Sequence, residues 1–183
     1  MSFKLTASAL ALLLGTTVAA TAKEVPIGKP QNRAGMEVAA VYLQPIEMEP
    51  AGMMRAAADS DVHLEADIKA TKDNKNGFAK GDWVPYLSIQ FTLVKDGKVV
   101  AQGPFMAMVA NDGPHYGDNV KLAGNGKYEL TYKISPPNAG AHGAHGAHFG
   151  RHVDKETGVG PWFEPFEVKY EFVYTGTAKK GGY

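Results

Sequence analysis

The stretch YLSIQFTLVKDGKV, residues 86–99, decides the fold that we expect for this chain. Its first part, Tyr86 to Val94, alternates apolar and polar residues and is rich in aromatic and β-branched side chains, as half-buried strands are. Asp96 and Gly97 follow, and both positions tolerate the positive φ that a type I′ turn requires. The stretch therefore predicts a strand that turns back into an antiparallel hairpin.

Similar short strand patterns recur along the chain. They cover Met36 to Leu43, Val62 to Ala70, Lys127 to Ile134 after the turn Gly124-Asn125-Gly126, and Phe166 to Tyr174. No segment beyond the first 22 residues sustains helical apolar spacing, and Ala56 to Ala58 form one helical turn at most. Seven or eight short strands between clusters of Gly, Pro, Asn and Asp predict an all-β, immunoglobulin-like antiparallel β-sandwich, with a small closed barrel as the alternative.

The N-terminus has the pattern of an export signal. Lys4 precedes the apolar run Ala9 to Leu14, and the segment closes on the small residues Ala20-Thr21-Ala22. This pattern predicts a secretory signal peptide over residues 1–22, because the apolar run is shorter than the roughly 20 residues that span a bilayer. We expect residues 23–183 to form one periplasmic domain with a loosely held polar leader, Lys23 to Asn32.

Composition narrows the classes of function. The chain has 19 basic and 19 acidic residues, so it offers no positive field for nucleic acid. It has no cysteine, and a domain of this size buries enough surface to be stable without disulfides. Phosphate loops, His-Glu-x-x-His pairs and nucleophile elbows are absent from the sequence. We therefore expect a protein that is not an enzyme and has no nucleic-acid partner.

Histidines are concentrated in one stretch. AHGAHGAHFGRH, residues 141–152, holds four of the six histidines, and it lies in a long predicted loop, Ser135 to Gly160. Imidazole is the commonest protein ligand for Zn, Cu and related ions, which makes metal binding the first hypothesis. His142, His145 and His148 lie among flexible Gly and Ala residues, which favours loose, low-affinity capture. A histidine-rich linker without a role is the alternative.

Two further places offer metal ligands. His63 and Glu65 share one face of a predicted strand because side chains alternate with period two, although such a polar face is often simply solvated. Met108 and His115 flank the Asn-Asp-Gly-Pro turn, residues 111–114, and can meet across it, although a strand methionine often only fills a core. Thioether beside imidazole favours copper, whereas an added carboxylate suits Fe(II) or Mn(II).

Five segments carry a family resemblance: VYLQPIEMEPAGM (41–53), DVHLEADIKA (61–70), NKNGF (74–78), MVANDGPHYG (108–117) and RHVDKETGVGPWFEPFEVKYEF (151–172). They closely resemble the periplasmic iron-transport protein family, bacterial high-affinity Fe(II) uptake proteins that also bind copper. The similarity covers nearly all of the chain after the signal peptide. It implies an immunoglobulin-like sandwich that forms a homodimer, a metal site near the dimer interface, and an inner-membrane iron permease as partner.

The resemblance also implies a ligand set for Cu(II) and Fe(II), with Mn or Zn as possible surrogates. The matching metal ligands are His63, Glu65, Met108, His115 and His152. Additional Ala-His-Gly repeats precede Arg151, where the family has only a few residues, so that His148 could compete with His152. We favour His152 because its flanking residues match the family motif.

Three functions remain open at this point. The first is a non-enzymatic periplasmic metal-binding protein that supports high-affinity Fe(II) uptake and also binds copper. The second is a copper-dependent oxidase that oxidises Fe(II) before import, because mixed His and Met ligation lets copper change oxidation state. The third is a copper chaperone or buffer in which the Ala-His-Gly repeats collect the metal.

Overall fold

The computed structural model describes residues 24–137 and 149–176, and within them ten strands form. The strands are β1 Val25–Pro26, β2 Gln31–Arg33, β3 Met36–Leu43, β4 Val62–Ala70, β5 Ser88–Lys95, β6 Lys98–Pro104, β7 Met106–Ala110, β8 Gly113–Val120, β9 Gly126–Ser135 and β10 Phe166–Tyr174. A single 3-10 turn, Ala57–Asp59, is the only helical element in these residues. It lies where the sequence predicted one helical turn at most.

Two antiparallel sheets make up the domain. The six-stranded sheet has the order β1-β3-β4-β8-β7, with β2 also paired to β3, and the four-stranded sheet has the order β10-β9-β5-β6. The predicted immunoglobulin-like β-sandwich is therefore confirmed, and the closed barrel is not formed. The predicted hairpin is also present, since β5 pairs with β6 through Asp96 and Gly97, whose φ angles are 51° and 72°.

Alternation of side chains builds the core between the sheets. Strands β4 and β9 each contribute one buried face to this core. The buried residues are Val62, Leu64, Ala66 and Ile68 on β4, and Tyr128, Leu130, Tyr132 and Ile134 on β9. All of these are apolar or aromatic, so the inner face of each strand is removed from water, which supplies the main driving force for folding. The outer face of β4 carries the remaining residues, including His63 and Glu65.

The polar leader is more ordered than we expected. Strands β1 and β2 pair with β3, and the Ile27 N–H donates to the Ala40 carbonyl at 2.8 Å. Ile27 is also buried in the core. The prediction of a loosely held leader is therefore wrong for its described part, because backbone pairing and one apolar anchor outweigh its polar composition.

Some predictions lie outside the described residues. The signal peptide, residues 1–22, is one of them, and the repeat with His142, His145 and His148 is another. In the ranges that the structure describes, no helix has the length and apolar character needed to cross a membrane.

Candidate metal centre

Three neighbouring strands of the six-stranded sheet bring the predicted ligands together. His63 and Glu65 lie on the outer face of β4, and His115 lies on the adjacent strand β8. Met108 on β7 is the direct cross-strand partner of His115. Directly opposed residues in an antiparallel pair place their side chains on the same face of the sheet, a few ångströms apart. Four of the five predicted ligands thus belong to one face of one sheet.

The carboxylate of Glu65 is the centre of this group. Its Oε1 lies 3.4 Å from His63 Nε2 and 3.3 Å from His115 Nε2. The three candidate ligand atoms lie within 4.8 Å of one another, and the two imidazole rings are nearly perpendicular, at 75°. Two nitrogens and one oxygen therefore converge on a volume that suits a single ion.

These three groups are not solvated, although the same face of β4 becomes exposed further along, at Lys69. His63 is 1% exposed, and Glu65 and His115 are each 4% exposed. Within the described chain, neither His63 Nε2 nor His115 Nε2 has a hydrogen-bond partner, because their short contacts with Glu65 lack hydrogen-bond geometry. Buried polar atoms without a partner are rare and costly, and an unpaired imidazole nitrogen offers its lone pair to a metal. The interpretation of β4 as a plain solvated polar face is therefore wrong.

Burial shifts the pKa values of this group in opposite directions, down for His63 and up for Glu65. Burial is the main cause that lowers the pKa of His63 to about 4, so that its imidazole is neutral at pH 7. Burial, followed by the charges of Asp67, Glu24 and Asp112, raises the pKa of Glu65 to about 8. In the absence of a cation the carboxyl therefore keeps its proton at neutral pH, and a bound divalent cation would displace that proton.

Three more acidic groups surround Glu65. Burial, a side-chain hydrogen bond with Asp112 and the charge of Asp67 raise the pKa of Glu24 to about 7, and burial also raises the pKa of Asp67. The sequence interpretation did not assign Glu24 or Asp112 to the site. Glu24 lies in the polar leader, where no local pattern marks it, whereas Asp112 lies in the turn just before His115. The negative field of this group favours a cation.

His152 is the predicted ligand that the single chain does not bring to the group. It is exposed, and its Nδ1 lies 2.7 Å from the Thr157 hydroxyl oxygen. Among the described His, Asp and Glu residues, the clustered ligand atoms come from His63, Glu65 and His115. The assignment of His152 as a ligand stays a prediction.

Gly117 keeps the space beside His63 open. A Cβ added at Gly117 would lie 2.8 Å from His63 Nε2 and 3.0 Å from the Leu64 carbonyl oxygen. Both distances are shorter than normal van der Waals contacts, and one of them is to rigid backbone. Close packing in a buried site leaves little room for the ring to move away.

We expect Gly117→Ala to lower the Cu(II) affinity at least about tenfold, which corresponds to roughly 1.4 kcal/mol, because the new methyl displaces the nitrogen that faces the ion. Competitive titration with a copper chelator measures the change. Gly150→Ala is a matched control, since a Cβ at Gly150 meets open space. Equal affinities of the two variants would contradict a role for His63 Nε2.

Comparison with known proteins identifies the group to which this chain is related. Residues 21–176 match the family described as Fe2+ transport protein. The chain belongs to this family. A UPF0423 protein of Brucella abortus strain 2308 is 66% identical over 182 residues, which is 99% of this chain and 98% of that protein. The 34 kDa membrane antigen of Treponema pallidum is 38% identical over 154 residues, 81% of this chain and 72% of that protein.

Solved structures of similar proteins contain copper. A copper-bound variant of FetP from uropathogenic Escherichia coli strain F11 is 54% identical, with a TM-score of 0.77, and the match covers 84% of this chain and 99% of that one. Copper-reconstituted P19 from Campylobacter jejuni is also 54% identical, with a TM-score of 0.76 over 84% of this chain and 97% of that one. The predicted family resemblance is confirmed, and the expectation of a transport-associated metal-binding protein rather than an enzyme agrees with the family.

Proposed function

We propose that this member of the Fe2+ transport protein family binds Fe(II) and copper in the periplasm and supports high-affinity Fe(II) uptake by an inner-membrane iron permease. The observation that carries the proposal is the convergence of two buried, partnerless imidazole nitrogens on the Glu65 carboxyl. Family membership supports the link to iron, and the copper-bound relatives support the link to copper.

The donor types explain why one site can accept both metals. The imidazoles of His63 and His115 are intermediate ligands that suit Fe(II), Cu and Zn. Glu65 adds a hard oxygen for Fe(II) or Mn(II), and Met108 adds a soft thioether for copper. Met108 lies opposite His115 and is half-buried at the margin of the sheet, a suitable position for a ligand.

Met108→Leu separates these two contributions. We expect the variant to lose more than about tenfold in Cu(I) affinity, equal to roughly 1.4 kcal/mol, and to keep its Mn(II) affinity within about threefold, because leucine fills the same volume without a sulfur donor. Competition with a Cu(I) chelator and calorimetry with Mn(II) measure the two affinities. Met106→Leu, two residues earlier on the same face of β7, is the matched control. A parallel loss of both metals would contradict the assignment.

We also propose that the protein is a homodimer in which His152 of one subunit completes the site of the other. Two exposed apolar residues support this arrangement. Val109, next to Met108, is 76% exposed, and Val153, next to His152, is 74% exposed. Large apolar side chains at two such positions favour contact with another protein surface.

A mixed dimer tests this arrangement. One subunit carries His115→Ala, the other carries His152→Ala, and two different affinity tags allow the mixed species to be isolated. If His152 acts across the interface, one site in the mixed dimer is intact and binds one Cu(II) with wild-type affinity. If His152 acts within its own subunit, both sites lack a ligand, and the loss of tight binding contradicts the proposal.

Growth under iron limitation tests the role in uptake. A deletion strain should grow poorly with Fe(II) as the iron source and recover with the wild-type gene but not with a His63→Ala gene. Recovery by copper adjustment alone would contradict an iron role and favour a copper chaperone or buffer.

The Met108–His115 pair also favours a second candidate, a copper-dependent ferrous oxidase acting before import. Copper-loaded protein would then consume oxygen when Fe(II) is added, and a His115→Ala variant would not. Stoichiometric metal binding without turnover would favour the first function.

A further inference from the structure

The buried side chain of Asn119 joins His63 to a segment that lies outside the sheets. This segment, residues 46–55, is called the strap here. The Asn119 Nδ2 donates to the Ile46 carbonyl at 2.8 Å and to the Arg55 carbonyl at 2.9 Å. Its Oδ1 accepts from the Ile46 N–H at 3.2 Å and lies 3.0 Å from His63 Nδ1. One carboxamide therefore contacts both ends of the strap and the imidazole.

These contacts determine which way the carboxamide points. Its nitrogen faces two carbonyl oxygens, which only accept, so the nitrogen must be on that side and Oδ1 must be on the side of His63. An amide oxygen also only accepts, so His63 Nδ1 must carry the proton of the neutral ring. The lone pair of the ring is then on Nε2, the atom that faces Glu65.

We propose that Asn119 is a positioning residue that holds His63 in the tautomer able to bind metal and couples this tautomer to the strap. Every hydrogen bond between strap and sheet ends on the Asn119 side chain, in the part of the chain that the structure describes. When the strap moves away, the amide loses the acceptors that hold it and is free to rotate. A rotated amide presents Nδ2 to His63, which moves the ring proton to Nε2 and blocks the metal.

The metal-binding consequence rests on the proposed function, whereas the tautomer of His63 does not. Nitrogen-15 NMR of the metal-free protein at pH 7.5, above the ordinary pKa of an imidazole, shows the tautomer directly. We expect only the Nδ1–H form in the wild type. Asn119→Leu should show the Nε2–H form and lose about 10- to 100-fold in Cu(II) affinity, the usual effect of removing the partner of a ligating histidine.

Asn119→Asp tests the coupling to the strap separately. Its carboxylate still accepts from His63 Nδ1–H but does not donate to the Ile46 and Arg55 carbonyls. We expect this variant to keep the Nδ1–H form, while the strap amides exchange with deuterium at least about tenfold faster than in the wild type. Strap exchange equal to that of the wild type would contradict the coupling.

Asn76→Leu is the matched control, because the Asn76 Nδ2 also donates to two carbonyls, those of Gly160 and Pro161. It should leave the His63 spectrum unchanged. An Nε2–H form in the wild type or in Asn119→Asp overturns the proposal, as does an Nδ1–H form alone in folded Asn119→Leu. If Asn119→Leu does not fold, the His63 tautomers of the wild type and of Asn119→Asp still test the proposal. A correct tautomer in a protein that binds no metal would contradict the proposed function only.

Discussion

Replacing His115 with alanine is expected to lower the Cu(II) affinity more than about 100-fold, because loss of a direct ligand exceeds the roughly 10- to 100-fold effect of losing an outer partner. The substitution removes one of the two partnerless nitrogens and leaves Glu65 with a single imidazole. Competitive titration at pH 7.5 measures the affinity. Melting temperature gives a second readout, since a ligand that binds only the folded state stabilises it in proportion to RT ln(1 + [L]/Kd).

His145→Ala is the control for the His115 variant. It removes a histidine of the Ala-His-Gly repeat, which we expect to capture metal loosely at most, so the tight site should be unchanged. A folded His115→Ala protein that still binds Cu(II) with wild-type affinity would show that the primary site lies elsewhere. The Ala-His-Gly repeat would then be the next candidate site.

Glu65→Gln is expected to stabilise the metal-free protein at alkaline pH and to have little effect near pH 4.5. Burial, followed by the charges of Asp67, Glu24 and Asp112, raises the pKa of Glu65 from 4.5 to about 8 in the folded state. The folded state therefore holds this proton more tightly than the unfolded state does. Its contribution to stability is complete below about pH 4.5 and is lost as the pH rises through about 8.

Glutamine does not ionise, so the variant does not lose this contribution to stability as the pH rises. We expect its free energy of unfolding at pH 8.5 to exceed that of the wild type by on the order of 2–4 kcal/mol. The lowered pKa of His63 has the opposite effect, with stability lost as the pH falls from about 6.5 through about 4, but it acts on both proteins. Urea titrations of metal-free protein between pH 4.5 and pH 8.5 measure the difference.

The exposed Glu37 provides a control, because Glu37→Gln should leave the pH profile of stability unchanged. With saturating Mn(II), the wild type should become more stable than Glu65→Gln, since the ion stabilises the wild type through a carboxylate that the variant lacks. Parallel pH profiles for wild type and Glu65→Gln would contradict a buried, protonated carboxyl at this position.

Much of the site follows from the two-residue period of strands. His63 and Glu65 are two positions apart, so they share a face whatever surrounds them. Met108 and His115 flank a tight turn, so antiparallel pairing places them opposite each other. These relations are local, and the sequence is sufficient to predict them. The hairpin at Asp96 and Gly97 is predictable for the same reason.

Other features depend on contacts between distant segments, which the sequence pattern does not report. A polar strand face looks the same whether water or another segment covers it, so the burial of Glu65 was not predictable. Asn119 is one of several asparagines, and only the folded chain shows that it faces both His63 and the strap. Strand β8 was missed because GPHYGDNV has two glycines and a proline and little apolar alternation.

The placement of the proposed ligands on different kinds of structure bears on how fast metal would be exchanged. His63, Glu65, His115 and Met108 lie on strands held by a ladder of hydrogen bonds. His152 lies on an irregular segment, where local opening costs less than in a central strand. If His152 completes the site as proposed, the sheet residues would set the equilibrium preference for one ion over another, and opening of the irregular segment would set the dissociation rate. Carriers that must release their cargo benefit from this division between selectivity and speed.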